Sequence, residues 1–454
     1  MTTTTENVIS TFSSLLGEAR VKTDEATRKN FALGDLLPEC VVSPGAEEEV
    51  AAVLRRAAEA DLAVVPCRNG TKLGIGNRPH RYDVALCLRQ MNRIWHYEPK
   101  DLTVTVETGM KLSDFEYFVG KSGLWLPLDP PFESKASIGG VLASNSSGRS
   151  RLFYGQLRDM TLGMTIATAD GKLIKTGGRV VKNVTGYDLS KLMIGSFGTL
   201  GVITQASFKL YPLPPVRRSF RVRVQELFQV RDFRRRLAVL PIAPLAMEFL
   251  DEKAAPLAWE GTSFGGAGSG PEVWIEAGGV EAVVERSAKE LAALASAVDA
   301  KIEEVDEERG KLAWSRLREF RSWLPESYPG AVLLKANLPI GAAEEFIARA
   351  TSLMEAGFKE DGPGRCAVFA HLGSGVVHFW ALEPREGKVA WILRLRELAE
   401  QLHGSLRVEL APTRIKAEVD VWGDVGESLR VMQRMKAAWD PKNTLSPGRF
   451  VGGI

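Results

Sequence analysis

The spacing of apolar residues in the first 210 positions predicts short strands that alternate with short helices. Apolar side chains recur at helical spacing over residues 46–60, which predicts an amphipathic helix. The apolar run at 62–66 is typical of a buried strand, and alternation over 102–107 predicts another. Three prolines at 212, 214 and 215 then interrupt any regular element. We therefore expect a domain boundary near residue 215.

The second half of the chain has longer helical patterns. Helices and strands are predicted in turn, with helices at 281–299, 306–323, 341–357 and 386–403 and strands near 272–276, 331–338, 366–382 and 406–411. This order predicts an α+β fold, with a mostly antiparallel sheet and helices on one side of it. Five glycines within residues 261–270 predict a loop between two strands, and no internal repeat of fixed period is visible.

Composition and charge exclude several classes of protein. Of the 454 residues, 45% are apolar and 25% are charged, which is the balance of a folded chain. Lys and Arg number 58 against 56 Asp and Glu, so there is no basic excess for binding nucleic acid. No apolar run approaches the roughly 20 residues that span a bilayer, and the N-terminus lacks the features of a secretory signal. We expect a cytoplasmic protein.

The four cysteines, at positions 40, 67, 87 and 366, are far apart and form no C-x-x-C pair. A disulfide framework is not expected in an intracellular chain of this size. An iron–sulfur cluster usually needs closely spaced thiolates, which this chain lacks. If the protein transfers electrons, its carrier is an organic cofactor and any cluster belongs to a partner.

Glycine-rich segments are the densest chemical signal. They occur at 137–140, 177–178 and 195–204, and a further loop at 68–72 adds a hydroxyl and two cations. Glycine lets consecutive amide groups point at anionic oxygens, so loops of this kind converging on one diphosphate would bind a dinucleotide. Each loop taken singly is equally well a tight turn. The P-loop motif is missing, and the G-x-G at 74–76 is only a fragment of the Rossmann motif.

A series of motifs in fixed order carries a family resemblance. They are Leu128-Asp129-Pro130, the loop 136–140, Tyr154-Gly155, Arg158-Asp159, Leu162-Gly163, Ala169-Asp170-Gly171, the segment 182–189 and the segment 195–204. This set resembles the FAD-binding domain of the vanillyl-alcohol oxidase and p-cresol methylhydroxylase flavoproteins. Residues 177–204 resemble more narrowly the FAD-binding subunit of bacterial glycolate oxidase, the GlcE type. The ending 439–449 resembles that of the same flavoproteins, with Ser446 where Asn is usual.

The resemblance implies an architecture of two domains. Residues 1–37 would be a helical lead-in, and residues 38–215 a two-lobed FAD-binding domain of the p-cresol methylhydroxylase (PCMH) type. Residues 216–454 would be a ferredoxin-like α+β domain of the FAD-linked oxidase C-terminal type. Its last segment, 439–450, would return to the flavin.

The resemblance also implies which residues bind FAD. The expected cofactor-binding residues are Arg68, Asn69, Gly70, Thr71, Lys72, Leu73, Asp129, Pro130, Ser137, Gly139, Gly140, Tyr154, Gly155, Gly201, Val202, Ile203 and Arg449. Lys182, Asn183, Gly186 and Tyr187 match further family positions, where cofactor contact and scaffolding are both open. Some family members attach the flavin covalently through a His or Cys. The loop at 68–72 contains no His, and Cys67 is predicted to be a buried apolar residue, so we expect a non-covalent flavin.

Two histidines of the second domain match a motif of the 2-hydroxy-acid dehydrogenase branch. That motif reads H-x-G-D-G-N-x-H, and here its histidines are His371 and His378, with Glu409 at the later acidic position. In the family these three side chains can bind a divalent metal, so they are the candidate metal ligands. The Asp and Asn of the motif are Ser374 and Val376 here. The alternative is a pair of partly buried histidines with no metal.

The same resemblance suggests catalytic residues. His371, His378 and Arg318 are the candidates: Arg318 matches a position that recognises the substrate carboxylate, and Lys335 is a second cation for that task. A solvated Arg/Glu helix face is the alternative for Arg318. His378 would take the hydroxyl proton of a 2-hydroxy acid while its α-hydrogen leaves as hydride to flavin N5. Arg449 would stabilise negative charge on the reduced flavin.

These expectations leave three functions open. The first is the FAD-binding subunit of a glycolate-oxidase-like complex, with iron–sulfur and second flavoprotein subunits as partners. The second is a stand-alone FAD-dependent dehydrogenase for a 2-hydroxy acid such as D-lactate. The third is a structural subunit that holds a flavin without turnover. Partner subunits would also allow peripheral attachment to the inner membrane.

Overall fold

The structure is a computed structural model that describes residues 5–179, 187–264, 270–357, 365–382 and 389–454. The chain divides into two compact units. The first unit comprises the chain up to Ser147, Gln156–Leu213 and Asp424–Ile454, and the second comprises Gly148–Gly155 and Pro214–Gly423. The segment 182–186 that the family resemblance covers, and positions 265–269 of the expected glycine-rich loop, lie outside the described residues.

The first half of the chain forms short elements, as its hydrophobic pattern predicts. Its helices are α1 (Thr5–Leu16), α2 (Glu25–Lys29), α3 (Glu47–Glu59), α4 (Leu112–Gly120), α5 (Ile138–Ser144), α6 (Arg151–Tyr154), α7 (Leu157–Met160) and α8 (Leu189–Met193). Its strands are β1 (Val21–Lys22), β2 (Cys40–Val42), β3 (Val64–Cys67), β4 (Val84–Cys87), β5 (Ile94–Glu98), β6 (Thr103–Glu107), β7 (Leu124–Trp125), β8 (Thr161–Ala167), β9 (Leu173–Gly177), β10 (Val202–Lys209) and β11 (Tyr211–Pro212).

Two larger sheets organise the described part of the first unit, where β7 and β11 also pair as a two-stranded sheet. One has the strand order β1-β2-β4-β3, in which β4 pairs parallel with both β2 and β3. The other is antiparallel, with the order β5-β6-β10-β8-β9. The predicted helix at 46–60 is confirmed as α3, which buries Val50, Val53 and Leu54. The chain end joins this unit because Val64 exchanges backbone hydrogen bonds with Thr444 and Ser446.

The second half contains the longer elements. Its helices are α9 (Leu227–Leu237), α10 (Ala254–Trp259), α11 (Glu281–Ala297), α12 (Glu307–Ser327), α13 (Ala343–Gly357), α14 (Ala390–Gln401), α15 (Thr413–Glu418) and α16 (Ser428–Trp439). Its strands are β12 (Val216–Arg223), β13 (Ala246–Leu250), β14 (Glu272–Gly279), β15 (Lys301–Val305), β16 (Val332–Asn337), β17 (Cys366–His371), β18 (Val376–Ala381) and β19 (Ser405–Leu410).

One antiparallel sheet organises the second unit. Its order is β15-β12-β14-β13-β17-β18-β16-β19. Each half of this sheet contains four strands. Along the chain, these strands and two of the helices follow the β-α-β-β-α-β order of the ferredoxin-like motif. The halves meet where β13 pairs with β17. The unit is therefore a structural duplication, although the sequence has no repeat of fixed period.

Helices pack on both faces of this sheet, so the expectation of helices on one side is wrong. Helices α9, α11, α13 and α14 share a buried cluster with Val368 of β17, whereas α10 and α12 share another with Phe369. Consecutive strand residues point to opposite faces, so both faces are covered. Within the described ranges, no helix has the length and apolar character needed to span a membrane.

Candidate functional site

A cleft lies within the first unit. Its lining residues come from the loops that the sequence singled out and from the chain end: Val65, Pro66, Cys67, Arg68, Asn69, Gly70, Thr71, Lys72, Leu73, Leu88, Thr108, Ser137, Gly139, Gly140, Ala143, Ser144, Phe197, Gly198, Gly201, Val202, Ile203 and Arg449. Six stretches that are separate in sequence therefore converge on one cavity: 65–73, Leu88, Thr108, 137–144, 197–203 and Arg449.

Most of the expected cofactor-binding residues lie in this cleft. All six of Arg68 to Leu73 line it, as do Ser137, Gly139, Gly140, Gly201, Val202, Ile203 and Arg449. Asp129 and Pro130 are buried in the first unit outside the lining set. Tyr154 and Gly155 belong to the second unit, at the end of α6. Tyr187 is 94% exposed.

Thr108 joins two of the glycine-rich loops. Its carbonyl accepts from the amide of Gly139 at 2.7 Å, and its hydroxyl donates to the carbonyl of Ile203 at 2.5 Å. A Cβ on Gly139 would lie 3.1 Å from the Thr108 side chain. No sequence motif identifies Thr108, because a threonine after a strand carries no distinctive signal. Its contacts hold the 137–140 loop against the start of β10.

The charges around the cleft favour an anion. Arg68, Lys72 and Arg449 line it, and no Asp or Glu is among the described lining residues. Arg449 is 3% exposed and donates to the carbonyls of Leu73 and Ile75. Burial lowers its pKa to about 10, so it stays charged at neutral pH. Arg68 is also buried, and its Nε donates to the carbonyl of Gly109 at 2.8 Å.

These residues fit a dinucleotide cofactor. Three cations and the amides of glycine loops suit the two negative charges of a diphosphate. Leu73, Val202 and Phe197 supply apolar walls, against which a flat ring system is able to pack. The thiol of Cys67 contacts the carbonyl of Leu86 at 3.6 Å, and burial raises its pKa far above the ordinary value. Cys67 is only partly buried, but a neutral thiol is a poor nucleophile, which argues against attachment of a cofactor there.

A separate cluster of polar side chains lies on one face of the sheet in the second unit. Strand pairing places Lys335 opposite both His378 and Arg407. His378 is in turn opposite Phe369, whose ring stacks on the imidazole at 5.8 Å. Lys335 and His378 are 7% and 0% exposed. This face of the sheet also packs against α12.

The two histidines have different surroundings. His371 Nδ1 lies 2.7 and 2.8 Å from the two carboxylate oxygens of Glu248, and its ring is 5.3 Å from that of His378. His378 Nδ1 faces Glu409 at 3.6 Å. Burial, followed by the charges of Arg321, His371, Lys335 and Arg407, lowers the pKa of His378 well below its ordinary value. His378 is therefore neutral at neutral pH.

Glu248 was missed by sequence analysis. It lies in the apolar strand β13 and is 1% exposed. A lone carboxylate in an apolar run is a usable signal, since a buried charge needs a partner. Its partner is 123 positions away, which the local pattern does not reveal.

The expected metal site at His371, His378 and Glu409 does not form. Within the described residues, no three His, Cys, Asp or Glu side chains are arranged to hold a metal ion. Glu409 already faces two guanidinium groups, Arg321 at 3.5 Å and Arg407 at 3.8 Å. Those cations offset the negative charge that a divalent ion would need. These residues therefore do not fit a metal.

The helix α12 brings Arg321, rather than Arg318, to Glu409. Arg321 lies on the buried side of α12 together with Leu317 and Leu324. Arg318 lies 3.9 Å from Glu319 and keeps 17% of its side chain exposed. Lys335, the second expected cation, lies inside the cluster, where burial lowers its pKa to about 7.

Two family models match the chain. One describes an FAD binding domain and matches residues 38–177, and the other describes the C-terminal domain of FAD linked oxidases and matches residues 213–450. The chain belongs to the FAD-linked oxidase family. It is an FAD-dependent oxidoreductase, and the expected fold, of a PCMH-type FAD-binding domain and a C-terminal oxidase domain, is confirmed.

Curated relatives of this FAD-linked oxidase cover nearly all of it. It is 29% identical to the glycolate oxidase subunit GlcD of Bacillus subtilis, over 91% of this chain and 89% of the relative. It is 28% identical to a D-lactate dehydrogenase of Anaerostipes hadrus, over 94% and 92%, and 28% identical to a D-2-hydroxyglutarate dehydrogenase of Xanthomonas citri, over 91% and 89%.

Solved structures support the fold. p-Cresol methylhydroxylase with bound substrate superimposes with a TM-score of 0.76 at 19% identity, over 98% of this chain and 96% of that one. Alkyldihydroxyacetonephosphate synthase superimposes with a TM-score of 0.77 at 17% identity, over 97% and 84%.

Proposed function

We propose that this FAD-linked oxidase oxidises a 2-hydroxy acid to the corresponding 2-oxo acid. The observation that carries the proposal is the buried cluster of Lys335, Arg321 and two histidines in the second unit. Cations held in place can bind a carboxylate, and an imidazole can accept the proton of a neighbouring hydroxyl. The relatives with glycolate, D-lactate and D-2-hydroxyglutarate in their names support the same substrate class.

The residues of the chain divide into two tasks. In the first unit, Arg68, Lys72 and Arg449 with the glycine amides would hold the diphosphate of FAD non-covalently. In the second unit, Lys335 and Arg321 would bind the substrate carboxylate and fix the orientation of its C2–H bond. Bound FAD supplies an acceptor for the hydride that leaves C2.

Lys335 is suited to binding the substrate carboxylate because a nearby anion changes its protonation state. Its pKa of about 7 means that it is partly neutral in the cluster, where burial and the charges of Arg407 and Arg321 oppose protonation. A bound carboxylate adds a negative charge beside it and favours the ammonium form. Substrate binding would therefore be linked to proton uptake at Lys335.

We place the chain in a complex of the glycolate oxidase kind. The GlcD relative is a subunit by its name, and the four cysteines of this chain are separate thiols that provide no onward electron carrier. An iron–sulfur subunit and a second flavoprotein subunit are the partners that this assignment implies. The attachment of such a complex to the inner membrane would then reside in the partners.

The test is anaerobic reduction of the purified chain. Addition of glycolate, D-lactate or D-2-hydroxyglutarate should bleach the visible absorbance of the flavin as it is reduced. Bleaching by the chain alone supports a stand-alone dehydrogenase, and bleaching only after partner subunits are added supports the complex. A complex that oxidises the acid equally well after its flavin is removed from this chain contradicts the proposal, and this chain is then a structural subunit.

A further inference from the structure

We propose that Glu248 positions His371 as the group that takes the hydroxyl proton of the substrate. This inference rests on the proposed function. It moves the proton acceptor from His378, which the sequence motif favours, to the other histidine of the hairpin. It also gives a task to a buried carboxylate that no sequence motif identifies.

The pairing of two strands fixes the contact. Glu248 on β13 lies directly opposite His371 on β17, in the register that joins the two halves of the sheet. Both side chains therefore emerge on the same face, with the carboxylate 1% exposed and 2.7 Å from Nδ1. Backbone pairing holds the two residues opposite each other, and both carboxylate oxygens lie within 2.8 Å of Nδ1.

The contact selects one form of the ring. A carboxylate at neutral pH accepts hydrogen bonds, so Nδ1 of His371 carries the proton and donates it to Glu248. The lone pair then resides on Nε2. When Nε2 takes a proton, the buried charge of Glu248 stabilises the imidazolium, as an acidic residue does for the histidine of a catalytic triad. Glu248 thus orients the ring and makes it a stronger base.

His378 is unsuited to this task. Its ring is fully buried beneath Phe369, with Lys335 and Arg321 near it. Those cations and the loss of solvent hold its pKa well below the ordinary value. Protonation of His378 would add a further positive charge to this group. Its nearest carboxylate, Glu409 at 3.6 Å, also faces Arg321 and Arg407, whereas Glu248 lies 2.7 Å from Nδ1 of His371.

A carboxylate that orients a histidine also occurs beside metal ligands. Here Glu409, the candidate carboxylate ligand, is poorly suited to binding a metal because it already faces Arg321 and Arg407. A divalent ion next to these guanidinium groups and Lys335 would meet strong repulsion. We therefore assign Nε2 of His371 as the atom that accepts the substrate proton. Metal binding by His371 is the competing outcome of the test.

The assigned step is balanced. The O–H bond of the substrate breaks and its proton passes to Nε2 of His371, while the electron pair of that bond forms the C=O double bond. The C2–H bond breaks and its two electrons leave with the hydrogen as hydride. FAD, which the proposed function supplies, is the oxidant for this pair.

The kinetic test is a double-mutant cycle on the holoenzyme. Glu248→Gln should lower kcat by about 10- to 100-fold with little change in KM, because the substrate carboxylate is bound elsewhere. His371→Gln should cost more, and the double variant should be no slower than His371→Gln alone. Glu304→Gln, an exposed carboxylate on β15 of the same sheet, is the matched control and should keep wild-type kcat. Multiplicative losses in the double variant would overturn the proposal.

A spectroscopic readout needs no turnover. The chain has five histidines, so ¹⁵N-histidine spectra are assignable with single His→Gln variants. His371 should show a protonated Nδ1 in the wild type, and this signature should be lost or shifted in Glu248→Gln. If no acid reduces the wild-type flavin, the proposed function fails while this signature stands. If the wild type turns over and the signature is missing, this inference fails instead.

Metal dependence completes the test. Dialysis against a chelator should leave kcat unchanged, and added Zn²⁺ or Mn²⁺ should not raise it. Loss of activity on chelation, restored by either ion, would assign His371 to a metal and overturn the proposal.

Discussion

Lys335 and His378 lie directly opposite each other on β16 and β18, and both side chains are buried. Burial is the main reason that both pKa values are lowered, and Lys335 adds to the effect on His378. Two basic groups at one buried position oppose each other's protonation. The second unit thus keeps an unfavourable charge arrangement where the substrate is proposed to bind, which is typical of functional sites.

Replacement of Lys335 by Met should therefore stabilise the protein and weaken substrate binding. The folded pKa of about 7 lies below the ordinary value of 10.5, so the cost of charging Lys335 is fully present below about pH 7. That cost is relieved as the pH rises from 7 toward 10.5. At pH 6 the variant should gain on the order of 2 kcal/mol in unfolding free energy, and the gain should shrink by pH 9.

Urea unfolding at both pH values measures this difference. Lys301→Met, at an exposed position on β15, is the control and should change neither stability nor KM. A Lys335→Met protein that is less stable than the wild type at pH 6 would contradict the assignment of a buried, unfavourable charge.

The flavin should be released by acid. Denaturation with trichloroacetic acid should leave the yellow colour in the supernatant, because no His is present in the loop at 68–72 and the raised pKa of Cys67 keeps its thiol neutral. The absorbance of supernatant and pellet measures the distribution. Colour that stays with the pellet would show a covalent bond to the protein.

Arg449 should contribute to FAD affinity. Arg449→Met removes a buried cation from the cleft, and the dissociation constant for FAD should rise by about 10- to 100-fold. Quenching of flavin fluorescence on addition to the apoprotein measures it. Arg434→Met removes an exposed arginine of α16 in the same unit and should leave the affinity unchanged. Equal losses in both variants would argue against a specific role.

Gly448 should tolerate no side chain. Its φ of +86° is in the left-handed region, and a Cβ would lie 2.7 Å from the His80 ring. Gly448→Ala should lower the unfolding free energy by about 1–3 kcal/mol. His80→Ala in the same chain should restore the part due to the clash and leave the backbone strain. Thermal unfolding of both proteins measures the two parts, and a stable Gly448→Ala protein would contradict the conformation.

The cofactor cleft was largely predictable from the sequence. The loops at 68–73, 137–140 and 201–203 line the cleft, and glycine-rich loops proposed to act through backbone amides are visible as local motifs. Thr108 was not predictable, because its role depends on two loops that only the folded chain brings beside it. The tasks of Lys182, Asn183 and Gly186 stay predictions.

The second unit was less predictable. The α+β order of its elements follows from the periodicity of apolar residues. A strand with apolar residues on both faces does not reveal which helices cover each face. Helices were therefore expected on one side, whereas α10 and α12 cover the face opposite to α9, α11, α13 and α14. The duplication of the ferredoxin-like motif was also not predicted. Its two halves share one strand order, but the sequence shows no repeat of fixed period.

The cofactor class, most of the elements and the two histidines were predictable from local sequence, since each depends on residues close together in the chain. Only the fold places Glu248 at 2.7 Å from Nδ1 of His371, while His378 lies among cations with Glu409 at 3.6 Å. The register of β13 against β17 brings Glu248 to His371 across 123 positions, and the packing of α12 brings Arg321 to Glu409. Such long-range pairing depends on the global arrangement of strands and helices, which no local pattern contains.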